Sequence, residues 1–260
     1  MRRFAAVVLL TALPFLTCGP RAEEKTGGNG YIPAPLLPGI GVHDPRVRVD
    51  VDAVPWRAVG KLQAASTTLR ASCTATLVGP STLVTAAHCV FNRSTQRYFA
   101  PSALHFLIGY NGSRYAGHAI GIRVKVAEGY DPSRPKETIG SDWALVFLDK
   151  SLGSEDRILS IASDVLEDGA EVMLGGYQQD HPLILMADIR CSIDGRFVDA
   201  SGQLLLRHNC TGTRGTSGAP LLIHRGGEWQ VAAIEAAQEM DSAHGAAVLL
   251  KEAYQELLNR

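Results

Sequence analysis

The sequence has almost no net charge, since 25 basic against 26 acidic residues leave −1 with histidine neutral. That removes the electrostatic footprint of a nucleic-acid or anionic-membrane binder. After the N-terminal two dozen residues no apolar run reaches membrane-spanning length, so no helical span is expected. No repeat shows at the usual solenoid periods. There is no C-x-x-C pair and no clustered His/Cys spacing, which argues against structural zinc. Nor is the chain collagen-like or disordered, with 46% hydrophobic and 20% charged residues. What it does have is glycine and proline, 26 and 13 of 260 residues, a composition leaning toward strands and turns. The length suits one or two compact units at roughly 100–200 residues each.

Cysteine is scarce and odd in number, at five. Residues 1–22 explain the odd one. Arg2 and Arg3 precede a nearly apolar run from Phe4 to Leu16, and small residues lead to Ala22 before Glu23–Glu24. An apolar core of about a dozen residues fits a secretory signal peptide and is too short to span a membrane. Cleavage after Ala22 removes Cys18 and three arginines, leaving four cysteines and a net charge of −4. The alternative, Cys18 as a lipidated residue, meets a poor lipidation box in Phe15-Leu16-Thr17. Residues 23–54 carry Gly27-Gly28-Asn29-Gly30 and Pro33, Pro35, Pro38 and Pro45, too many breakers for a helical or strand period. They read as a wrapped or mobile N-terminal segment, or as a propeptide.

From Pro55 the pattern becomes short apolar runs between turn residues: Thr74–Val78, Leu83–Ala86, Leu104–Ile108, Ala144–Leu148, Glu171–Leu174, Leu204–Leu206 and Val231–Ile234. Their length and boundaries predict an all-β sandwich or barrel. Only the tail is helical in period, with Leu250, Tyr254, Leu257 and Leu258 on one face.

Three motifs carry chemistry. Thr85-Ala86-Ala87-His88-Cys89 follows an apolar run; Ser141-Asp142-Trp143-Ala144 opens another; Gly215-Thr216-Ser217-Gly218-Ala219-Pro220 is a turn-forming stretch around a serine. Each alone has a structural explanation, the second most of all. Together they supply a nucleophile, a base and a carboxylate. Serine needs a base to take its proton, histidine titrates in the right range, and a carboxylate fixes the imidazole tautomer. Amides of the glycine-rich turn can converge on a developing oxyanion. The order His88, Asp142, Ser217 is the chymotrypsin order.

On these motifs the chain resembles the trypsin/chymotrypsin-fold serine proteases, and more closely the bacterial branch that includes glutamyl endopeptidases. The likeness runs from Pro55-Trp56 to the C-terminal helix. It implies an all-β fold of two orthogonal six-stranded barrels and a short C-terminal helix. Residues 55–155 would carry His88 and Asp142, and residues 156–260 would carry Ser217, with a linker near Asp149–Ala162. Four cysteines permit three pairings. The resemblance implies Cys73–Cys89, which ties the histidine loop, and with it Cys191–Cys210, each worth about 3 kcal/mol by loop entropy.

It further implies catalysis by His88, Asp142 and Ser217, with the amides of Gly215 and Ser217 as oxyanion hole. Thr211 and Glu235 would lie at the specificity pocket. The chain departs from trypsin in two places. Thr216 stands where trypsin-like zymogens carry the aspartate that pairs with a new N-terminus, and no Ile-Val-Gly-Gly sequence appears upstream. The site is therefore expected to be ordered without that ion pair, the N-terminal segment being at most a steric or docking element. Glu235 falls where glutamyl endopeptidases place a histidine, which disfavours acidic substrates and leaves basic or small ones.

The expectation is a monomeric, periplasmic or secreted serine endopeptidase acting on polypeptides through an acyl-enzyme, without cofactor or metal. A protease-fold binding module without catalysis and an esterase remain as alternatives. His244 is a further candidate for the pocket wall, with a surface histidine as the alternative; the remaining histidines, His208 among them, read as structural or solvated.

Overall fold

The computed structural model of the protein describes residues 37–65 and 70–259. The signal-peptide expectation, Cys18 and residues 23–36 of the N-terminal segment lie outside the described residues. Six strands form a closed barrel: β1 (Val59–Ala65), β2 (Arg70–Gly79), β3 (Thr82–Thr85), β4 (Leu104–Ile108), β5 (Gly117–Val126) and β6 (Ala144–Leu148). Their order around the barrel is β1-β2-β3-β6-β5-β4, all antiparallel. In β4 burial alternates, with Leu104, Phe106 and Ile108 inward, the period of two that a half-buried strand requires. By contrast β6 is buried at all five positions, because its outer face is covered too.

The second sheet is built from β7 (Glu171–Gln178), β8 (His181–Val198), β9 (Leu204–His208), β10 (Pro220–Arg225), β11 (Glu228–Gln238) and β12 (Gly245–Leu249). The hydrogen-bonded path β8-β7-β10-β11-β12-β9 returns on itself, because β9 also pairs with β8. Two-residue strands, Val47–Arg48 on β8 and Ser160–Ile161 on β11, bring this sheet to eight strands. The fold is thus mostly β with barrel-like sheets.

The strand β11 explains how the two halves share a core. Val231 and Ile234 join the cluster that contains Leu83, Leu145 and Phe106, whereas Ala232 and Ala233 face the second interior with Leu174, Ile193 and Leu206. A bulge in β11, where Leu221 of β10 pairs with Ala233 and Leu222 with Val231, shifts the phase so that one strand supplies both cores. The chain ends in helix α1 (Lys251–Leu258). Its buried face differs from the expected stripe. Leu250 and Ala253 are buried, Tyr254 and Leu257 pack on the core, and Leu258 is 61% exposed. Position 253 completes the helical face that small Ala253 hides from a hydropathy count.

The proline-rich segment contains one short strand that no side-chain period announces. Val47 and Arg48 pair with Ala187 and Met186 although both side chains are exposed. Backbone pairing to an open edge needs no side-chain period, so none was visible.

Candidate active site

The register of the first barrel brings two distant motifs together. Thr85 pairs with Ala144 across β3 and β6. The residues that continue from Thr85, and those that precede Ala144, therefore leave the barrel at the same end. A 3-10 turn, Ala87–Val90, carries His88, and another, Ile139–Ser141, presents Asp142. There the backbone N–H of His88 donates to Asp142 Oδ1 at 2.8 Å, and the ring Nδ1–H to Oδ2 at 2.6 Å. Both carboxylate oxygens are thus committed to one histidine, which fixes its orientation. The side chains are 19% and 6% exposed, so the ring keeps an open edge while the carboxylate is almost dry. Burial acts to lower the His88 pKa, but the charge and hydrogen bond of Asp142 overcome it and the net shift is upward.

Ser217 lies three residues before β10, half-buried, and lines the same cleft as His88 and Asp142, a space of about 470 Å³. Its loop is pressed onto the first barrel. Thr74 N–H donates to Ser217 O at 3.0 Å, and Thr74 Oγ1 donates to Gly215 O at 2.9 Å. Glycine is required at both ends of this contact. A Cβ on Gly218 (φ +76°) would stand 2.2 Å from Thr85 Oγ1, and one on Gly215 (φ +102°) 2.2 Å from Tyr177 O. Within the turn, the N–H and hydroxyl of buried Thr216 both donate to Thr213 O, at 3.0 and 2.6 Å. The position that would hold a zymogen's aspartate is therefore closed locally by a neutral hydrogen bond. The amides of Gly215 and Ser217 make no backbone hydrogen bond within the described residues.

Disulfides brace both loops. Cys73–Cys89 joins β2 to the turn bearing His88, and Cys191–Cys210 joins β8 to the segment leading to Ser217. Cys73, His88 and Cys89 lie close enough to resemble a metal site, but both sulfurs are consumed in the disulfide and offer no thiolate.

The cleft wall beyond Ser217 is formed by Glu235, Ala236, Ala237 and Gln238 of β11, with Thr213, Arg214, Pro38 and Met240 around them. Glu235 is 1% exposed, and its Oε2 accepts from His208 Nε2 at 2.6 Å. His208 Nδ1 accepts the Cys210 N–H at 3.2 Å, which leaves Nε2 to face Glu235. Burial pushes the Glu235 pKa up, and the attraction of the histidines only partly offsets it. Among the described residues, Glu235 Oε1 and both amide atoms of Gln238 are buried without a hydrogen-bond partner. Thr211, the other residue expected at the pocket, is buried with its N–H donating to Asp188 Oδ2, and is not among the residues lining the cleft. His208 and Gln238 were missed by sequence reasoning. The available signal was a polar residue sharing the parity of Leu206 in a largely apolar strand, since β9 buries Leu205, Leu206 and His208. A roomier groove of about 650 Å³ near Trp229, Met173 and Ile189 contains none of His88, Asp142 or Ser217.

A closed barrel joined to a second barrel-like sheet, with histidine, aspartate and serine at one cleft, defines the chymotrypsin-like serine protease fold. Comparison with known proteins agrees. The chain belongs to the trypsin family, whose model, described as Trypsin, matches residues 48–248. It is 24% identical over 189 residues to trypsin zeta of Drosophila erecta, a match covering 65% of each chain. The chain thus spans just under two thirds of that relative's length. A solved structure titled as a Glu endopeptidase in complex with MPD superposes with a TM-score of 0.68 at 20% identity. That match covers 85% of this chain and 97% of the other. Among the described residues no helix is long and apolar enough to cross a membrane.

Proposed function

We propose that this chain is an exported serine endopeptidase that hydrolyses peptide bonds through an acyl-enzyme. The observation that carries the reading is the two-point clamp of Asp142 on His88, in a cleft shared with Ser217. His88 takes the Ser217 proton as the hydroxyl attacks the carbonyl carbon, and Asp142 stabilises the imidazolium that forms. The oxyanion is held by the amides of Gly215 and Ser217, which the turn leaves without backbone acceptors. His88 then returns the proton to the leaving amine, and water repeats the sequence on the acyl group. The two disulfides suit an oxidising compartment and support export.

The wall chemistry supports a cationic substrate side chain. Glu235 is buried with Oε2 on His208 and with Oε1 lacking a hydrogen-bond partner among the described residues, so one carboxyl oxygen remains to meet a substrate cation. Arg93, Lys136 and Arg214 also line the cleft, but they are exposed and screened by solvent, whereas Glu235 acts in a dry wall. Lysine or arginine is therefore preferred at the scissile position, and glutamate disfavoured.

The test is to map cleavage of a peptide library by the mature protein and by Ser217→Ala. Loss of the nucleophile should reduce turnover by about 10⁴-fold or more. Equal cleavage by both proteins would sink the reading, and no cleavage by either would favour a binding module.

A further inference from the structure

A buried cation sits behind the loop that carries the proposed oxyanion amides, and it comes from the N-terminal segment. The Arg46 side chain is 1% exposed. Its guanidinium donates to Asp44 Oδ1 and Oδ2 at 2.8 and 2.7 Å and to Asp180 Oδ2 at 2.6 Å. Nη1 donates to Asp180 Oδ1 at 3.2 Å and to Gln178 Oε1, and the Gln178 oxygen also accepts the N–H of Thr213 at 2.9 Å. Gln178 cannot turn away, because its Nε2 donates to Met186 O at 3.3 Å.

From Thr213 the order passes directly into the turn. Thr213 O receives both donors of Thr216, and Gln179 adds its N–H to Arg214 O at 2.7 Å and its amide to Thr213 Oγ1 at 2.9 Å. The segment is seated at a second point. Gly39 N–H donates to Glu239 O at 2.9 Å, and Gly39 O accepts the Gly212 N–H at 3.2 Å. A Cβ on Gly39 would stand 1.9 Å from Gly212 O, so the two backbones are in direct contact.

We propose that Arg46 is a positioning residue for the reaction: docked in the fold, it acts through Gln178 to hold Thr213–Ser217 in the conformation that presents the Gly215 and Ser217 amides. It does the ordering that an ion pair to the position before the nucleophile would do, at a site where Thr216 offers no charge. The guanidinium touches no substrate. Its effect belongs on the chemical step, because a slack turn still admits the peptide but misplaces donors that matter most in the transition state.

The inference rests on the serine endopeptidase reading, and the experiment separates the two. Arg46→Met, Arg46→Lys, Gln178→Leu and the double Arg46→Met/Gln178→Leu variant are compared with wild type for kcat, KM, thermal midpoint and affinity for a peptide aldehyde. We expect Arg46→Met and Gln178→Leu each to lower kcat about tenfold or more with KM within about threefold, in line with displaced oxyanion donors. The double variant should be no worse than the more impaired single one, since both cut one relay. Arg46→Lys should recover part of the loss, and aldehyde affinity should fall in step with kcat.

If Arg46→Met is recovered unfolded, Gln178→Leu decides alone, because it leaves the ion pairs to Asp44 and Asp180 in place. Folded variants with wild-type kcat, a rise in KM alone, or losses that multiply in the double variant overturn the proposal. A wild-type protein that cleaves no peptide overturns the protease reading instead.

Discussion

Gly215→Ala offers a sharp test of how the nucleophile turn is built. The added Cβ would lie 2.2 Å from Tyr177 O and 3.1 Å from Gln178 Cα. Real Cβ atoms do not approach closer than 3.0 Å, so either the turn or β7 must give by about 0.8 Å. The backbone at φ +102° adds about 1–3 kcal/mol of strain for any residue with a side chain. If β7 yields, overpacking adds about 1–3 kcal/mol, and the thermal midpoint drops by roughly 2–4 °C per kcal/mol for a chain of this size.

If the turn yields, the Gly215 amide moves by a similar distance, and losing one oxyanion donor costs about 10²–10³ in kcat. Steady-state kinetics on a cleavable peptide and a thermal melt read both outcomes. Gly202→Ala is the control. It has φ +84° but nothing within 4 Å of its Cβ, so strain alone should appear, with kcat unchanged. A Gly215→Ala protein with kcat within threefold of wild type and an unshifted melt would refute the packing argument.

Asp142→Asn should lower kcat by about 10⁴-fold with folding retained, because the amide presents the wrong group to Nδ1–H; turnover within tenfold of wild type would contradict the clamp. The pH profile follows from His88, which must be neutral to accept a proton and whose pKa is raised. The acid limb of kcat/KM should therefore have its midpoint above the ordinary histidine value of about 6.5. Stability from the protonated ring is complete below that ordinary value and is lost as pH rises through the raised one; a limb centred at or below the ordinary value would count against the coupling to Asp142. Glu235→Gln should cut the preference for lysine over glutamate at the scissile position by tenfold or more, a ratio of roughly 1.4 kcal/mol. His208 can still donate to the new amide oxygen, so the melt should change little; an unchanged preference would remove Glu235 from the specificity wall.

Much of the fold was legible because strand-length apolar runs survive in one dimension. Leu104–Ile108 alternates as a half-buried strand does, and Ala144–Leu148 is apolar throughout because both its faces are covered. The tail was read one residue off. The hydropathy stripe took Leu258 for an inward residue, whereas small Ala253 occupies the buried face. The docked segment near Val47–Arg48 left no trace in side-chain pattern, since its hold is backbone pairing and one arginine.

At the site, residue types spoke before geometry did. His88, Asp142 and Ser217 are recognisable because the chemistry needs a base, a carboxylate and a hydroxyl in turn-rich surroundings. His208 was passed over as an ordinary histidine. Only the inward phase of β9, and the place of Glu235 across from it, made it the neighbour of a buried carboxylate.

By itself the sequence determined the strand-rich class and the near-zero net charge, and it named the candidate reactive side chains, because these depend on local composition and on residues within a few positions. The tertiary structure alone decided that 54 residues of separation close to a 2.6 Å contact between His88 and Asp142. It also decided that Glu235 is buried against His208, and that Arg46 bonds Gln178, 132 residues away, whose Oε1 also accepts the Thr213 N–H. Those relations depend on strand register and burial, which local pattern constrains but does not specify.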